Sequence, residues 1–156
     1  MGIFSYVIFR KKIGEMKKYY KWFFVFAWMI LIFLFSSESG IDSTETSQFF
    51  VEKVEPFFTH LISGISFEMI TMVVRKMAHF FLYFVLGILV GNATLANRKW
   101  CILSLLICLT YACADEIHQL FIIGRSGQLK DVFIDLIGSS VGIYLYNWFR
   151  RKKIAR

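Results

Sequence analysis

The sequence predicts an all-α, polytopic membrane helix bundle, with four transmembrane helices and a short interfacial helix in the first outer loop. Three observations carry this. Hydrophobic residues make up 57% of the 156-residue chain and mean hydropathy is +0.58, too apolar for a soluble domain of that size. The apolar residues fall into four runs, each near the ~20 residues that a helix needs to cross ~30 Å of hydrocarbon. Proline occurs once against 18 phenylalanines, which suits long uninterrupted helices.

The first run, roughly Tyr19 to Phe35, is short and aromatic, with Lys17 and Lys18 ahead of it and Lys21 in its first turn. Ser36-Ser37-Glu38-Ser39-Gly40 behind it lacks an A-x-A cleavage pattern, so a retained helix is expected rather than a signal peptide. Residues 1–15 read as a weakly amphipathic extension outside the chemistry, with Met16-Lys17-Lys18 an ordinary start and 16–156 one membrane domain. In the long loop that follows, Phe50, Val54, Phe57, Phe58, Leu61 and Ile62 recur at helical spacing, opposite Glu52, Lys53 and Glu55. This pattern predicts a short helix broken near Pro56, lying in the interface or packed over the mouth of the bundle. The second run extends from about Met72 to Leu95, with Ser66 a candidate N-cap. The third covers Trp100 to about Ile123 and the fourth Asp131 to Trp148.

Lysine and arginine set the expected orientation. Arg10, Lys11, Lys12, Lys17, Lys18 and Lys21 lie before or at the start of the first run, Arg98 and Lys99 lie between the second and third, and Arg150, Arg151, Lys152, Lys153 and Arg156 close the chain. The Ser36–Val74 loop carries Lys53 against Glu38, Asp42, Glu45, Glu52, Glu55 and Glu68. Both termini are therefore expected in the cytoplasm, and the acidic loop and the Gly124–Lys130 loop outside. The net charge of +7 sits at the ends of apolar runs instead of across one face, which argues against a nucleic-acid partner. Cys101, Cys108 and Cys113 share one apolar run, an unfavourable setting for a disulfide or a zinc site.

Against this background, several ionisable residues stand where hydrocarbon would penalise them by a few kcal/mol each. Counting ~20 residues from each cytoplasmic anchor places His79, Asp115, Glu116 and Asp135 about one turn inside the outer boundary. Arg75 and His79 share a helical face, as do Asp115, His118 and Gln119. Asp131 and Asp135 continue into Gly138 and Gly142, a stripe that admits a close helix neighbour. The candidate catalytic residues are His79, Asp115, Glu116, His118 and Asp135. Arg75, Gln119, Arg125 and Asp131 are candidates for substrate binding, and Glu116, Asp131 and Asp135 for a divalent cation. Crowded carboxylates repel unless a metal, protons or arginines offset them. The competing reading is structural: Lys76 and Arg75 snorkel as anchors, Asp131 caps the fourth helix, and the remaining charges form an ion-pair network.

The order of these residues resembles the VanZ-like family of bacterial integral membrane proteins. Arg75-Lys76-Met77-Ala78-His79-Phe80, followed by Tyr83 and Gly87, is similar to that family's R-K-x-A-H-F motif. Asp115-Glu116-Ile117-His118-Gln119, with Phe121 and Gly124-Arg125, resembles its D-E-x-H-Q-x-F-x-x-G-R. Asp131-Val132, Asp135, Gly138 and Gly142 resemble its closing D-V-x-x-D-x-x-G-x-x-x-G. Phe35-Ser36-Ser37 matches the F-S-S that ends its first helix, although Glu38 stands where Gln is common. The resemblance implies a bacterial plasma-membrane protein with an envelope role, linked through the family's namesake to teicoplanin resistance. It does not supply a reaction.

Two function classes follow. In the first, an enzyme at the outer leaflet acts as a hydrolase or head-group transferase on a membrane lipid or lipid-linked envelope precursor. Arg75 and Arg125 grip its phosphate and a histidine moves protons. In the second, the same pocket binds a lipid head group or the drug's lipid tail without turnover. A proton or ion relay is a third reading, and four helices would favour an oligomer for it. No H-E-x-x-H, G-x-S-x-G or phosphate-cradling glycine loop separates these classes.

Overall fold

The computed structural model describes residues 2–39, 48–53, 56, 66–94 and 98–154. Its helices, in chain order, are α1 (Gly2–Ser36), a short α2 (48–53), α3 (Phe67–Ala93), α4 (Arg98–Gln119) and α5 (Leu129–Ile154). No strand occurs among the described residues. Four of the helices contain stretches long and apolar enough to cross a membrane: Tyr19–Ser36, Phe67–Ala93, Cys101–Gln119 and Leu129–Lys153. The backbone of α1 starts at Gly2, so the segment expected as an extension continues the first helix. Of the helix expected across Phe50–Ile62, only 50–53 and Pro56 fall within the described residues.

Local chemistry accounts for the ends. Ser66 is extended, and its hydroxyl accepts from the Met69 amide at 3.3 Å, which caps α3, while Glu68 sits favourably in the first turn. At the far end the Thr94 hydroxyl donates to the Val90 carbonyl at 2.9 Å and bonds Ser104 at 2.8 Å, tying α3 to α4. Gly124 reverses the chain after α4 with a φ of 78°, in the left-handed region where a Cβ would be strained.

Packing is concentrated between α3 and α5, with α4 against α5 and α1 against α3. Glycine is the reason the α3–α5 seam closes. A Cβ at Gly87 would strike the Ser139 carbonyl oxygen, one at Gly138 the Phe80 carbonyl oxygen, and one at Gly142 the Phe84 carbonyl oxygen. Bilayer hydrocarbon gives apolar helices little reason to leave it, so such close backbone approach is a main source of association. The interior comprises Val25, Ile32, Tyr83, Leu86, Val90, Cys108, Ala112 and Ile143, each from a narrow stripe of its helix. The other faces display Phe23, Phe24, Ile30, Phe81, Ile102, Leu106, Ile137 and Tyr144, an apolar exterior suited to lipid. Polar contacts lock α1 in place: the Trp28 indole N–H donates to the Leu82 carbonyl at 2.9 Å, and Lys21 to the Asn92 carbonyl at 3.0 Å.

Candidate functional site

At the end of the bundle where α1 and α4 finish, three helices bring their charged residues together. His79 of α3, Asp115 and Glu116 of α4 and Asp135 of α5 each offer a ligand-type atom, and these atoms all lie within 4.8 Å of one another. The carboxylates are buried: Asp115 is 4%, Glu116 5% and Asp135 0% exposed. The His79 Nδ1 atom lies 3.5 Å from Asp135 Oδ1. Both Asp135 oxygens, Asp115 Oδ1 and the Tyr83 hydroxyl have no hydrogen-bond partner, although an unpaired buried polar atom costs about 1–3 kcal/mol.

A second layer holds the carboxylates in place. The Gln128 amide donates to Glu116 Oε2 at 2.7 Å, folding the α4–α5 loop over the cluster. Gly127 permits that approach, since a Cβ there would meet the Glu116 carbonyl oxygen. The fully buried Gln119 amide reaches both Asp115 and Glu116, at 3.4 Å each.

Above the cluster lies a cavity of about 280 Å³. His79, Tyr83 and Asp115 reach it from below, Arg75, Arg125 and Glu38 bring charge to its lining, and Ile32, Phe35, Phe50, Val74, Phe81 and Leu82 supply apolar wall. Helix α3 begins at Phe67, twelve residues before His79, whereas α4 ends four residues after Asp115 and α5 starts six before Asp135. At a rise of about 1.5 Å per residue, α3 therefore overhangs its neighbours by roughly 10 Å and forms one side of the opening. Arg125 donates to the Phe35 carbonyl at 3.1 Å. Half-burial and the neighbouring Arg75 charge lower its pKa, while Glu38, Asp115 and Glu116 oppose that shift.

The remaining sequence candidates are placed differently. Asp131 forms an ion pair with Lys76, joining α5 to α3 beside the cluster, and is not among the four converging ligand groups. His118 points to α1: its Nε2 is 3.1 Å from the Ser37 hydroxyl, and its ring stacks on Phe33 with centroids 4.5 Å apart. Tyr83, Ser36 and Glu38 line the cavity although no role had been expected for them. Tyr83 had a usable signal, since it stands one helical turn after His79 on the same face.

The fold and the polar end together describe an integral, multi-pass helical membrane protein with a buried charged cluster. The family model described as VanZ/LLP1 matches residues 21–150, and the chain belongs to that family. No curated protein and no solved structure matches the chain.

Proposed function

We propose that this protein acts in the bacterial cell envelope, binding the anionic, phosphate-bearing head group of a membrane lipid or lipid-linked precursor and processing it. The observation that carries this reading is the cavity itself: two arginines and an apolar wall stand over a floor that contains His79 and Asp115. Guanidinium groups grip phosphate by paired charge-assisted bonds, and the apolar wall accommodates the first part of an acyl or prenyl chain. Asp115, which reaches the cavity floor, takes the proton from an attacking water or hydroxyl as that oxygen bonds to phosphorus. The bond from phosphorus to the leaving oxygen breaks, and the proton passes to the leaving oxygen. His118 has no place in this scheme because it is engaged by Ser37 and Phe33. The family's namesake links the reading to teicoplanin resistance, through an altered population of envelope lipids.

A purely structural ion-pair network accounts for Lys76 and Asp131. It leaves Asp135 facing the His79 imidazole at 3.5 Å with no hydrogen bond to either buried oxygen. Mass spectrometry of bacterial membrane lipids incubated with the purified protein tests the proposal. A lipid should lose or exchange its head group, and Arg75→Gln or Asp115→Asn should slow this at least about hundredfold. Retention of one lipid without chemical change would reduce the role to binding; neither change nor retention would refute it.

In this reading both termini are cytoplasmic and the cavity faces the outer leaflet of the plasma membrane. Basic residues at the α3–α4 connection and the C-terminal tail support that orientation. Ser126 is exposed in the α4–α5 loop. A Ser126→Cys variant in intact cells should therefore react with a membrane-impermeant maleimide, beyond the background of the parent protein. Labelling only after the cells are opened would invert the topology.

A further inference from the structure

We propose that His79, Asp115, Glu116 and Asp135 bind one divalent transition-metal ion beneath the cavity. Their donor atoms already lie within 4.8 Å of one another. Metal–nitrogen and metal–oxygen bonds of about 2.0–2.2 Å put opposed donors roughly 4 Å apart, so a small contraction closes the site. The groups come from three helices, and Lys76, the nearby lysine, is occupied by Asp131. Three carboxylates thus share a buried space with one imidazole.

The independent observation is Asp135. It is fully buried, and neither of its oxygens accepts a hydrogen bond; His79 Nδ1, itself in the ligand set, lies 3.5 Å from Oδ1. Asp115 Oδ1 likewise accepts no hydrogen bond. A structural aspartate at such a position would be expected to receive N–H or O–H donors. A metal ligand instead keeps its lone pairs available. The contacts to Glu116 from the Gln128 amide and to Asp115 and Glu116 from Gln119 are the outer hydrogen bonds that orient ligating carboxylates.

The donor set also indicates the kind of ion. One imidazole with three carboxylates and no thiolate suits Mn(II), Fe(II) or Zn(II), and disfavours Cu(I). His79 and Asp115 reach the cavity, which leaves one side of the site open to water or to a phosphate oxygen. This proposal rests on the four side chains and not on the identity of a lipid. An ion bound by a protein that neither alters nor retains any lipid would keep the metal site and remove the function proposed above.

Full-length protein in detergent, stripped with chelator and titrated with Mn(II), is the test. Electron paramagnetic resonance should report one bound ion per chain. Pulsed spectra should show nitrogen coupling from His79, which His79→Gln abolishes. Asp135→Asn and Glu116→Gln should each weaken binding at least about tenfold, while Glu68→Gln, an exposed acidic change on α3, leaves it intact. Gel filtration identifies a variant that has unfolded, and the nitrogen signal of the parent protein then decides the matter alone. No stoichiometric binding by the folded parent, or binding without nitrogen coupling, would overturn the proposal.

Discussion

Replacing Gly142 with alanine will separate α5 from α3 and cost about 2–3 kcal/mol, a large loss for a change of one methyl group. The new Cβ would meet the Phe84 carbonyl oxygen and lie 3.1 Å from the Ile88 amide nitrogen. Both are backbone atoms, so no rotamer change relieves the clash and the helices must move apart. Gly91 gives the contrast. There an added Cβ meets the Tyr146 ring at 3.3 Å, and the ring need give by only a few tenths of an ångström. Gly91→Ala should cost under about 1 kcal/mol. Unfolding in detergent by titration with a denaturing surfactant measures both. Equal losses would show that backbone approach is not what joins this pair of helices.

Asp135→Asn should produce opposite effects on stability and on function. With divalent ions removed, the wild-type carboxylate is buried against two other carboxylates and accepts no hydrogen bond, with the His79 imidazole 3.5 Å away. Neutralising it relieves repulsion and desolvation, and the variant should be more stable by about 1 kcal/mol or more. Head-group processing or retention, and any resistance phenotype, should nevertheless fall to background. Such a trade is expected where a site holds charge for a purpose other than folding. Thermal unfolding of the two chelated proteins provides the comparison. A variant that melts well below the parent would make Asp135 a structural strut and return the cluster to the ion-pair reading.

Much of this arrangement was legible in the residues. Four apolar runs of spanning length, Ser66 as a cap and the Gly138/Gly142 stripe all have local causes, and each corresponds to an observed feature. Counting from the basic anchors placed His79, Asp115, Glu116 and Asp135 in one layer, and they lie together. Rotation about the helix axis was harder to read. His118 and Gln119 are adjacent in sequence, yet Gln119 faces the carboxylates and His118 faces Phe33. Such a choice depends on where α1 packs, and a run as uniformly aromatic as Tyr19–Phe35 carries little periodic signal. Lys76 was hidden for a similar reason: a lysine near a helix end reads equally as an anchor or as a partner for Asp131. The overhang of α3 follows from the same cap, since Ser66 starts the helix at Phe67, ahead of the apolar run that begins near Met72.

The seam between α3 and α5 also bears on how the protein is made. These helices interlock most closely, yet α4 lies between them in the chain. During synthesis α3 and α4 leave the ribosome first, carrying Lys76, His79, Asp115 and Glu116 with no aspartates from α5 to meet them. Only when Asp131 and Asp135 arrive can Lys76 be matched and the four-group cluster be completed. The last helix therefore completes both the ion pair and the cluster. A chain truncated before Leu129 would leave those charges unmatched within apolar helices, where each costs a few kcal/mol.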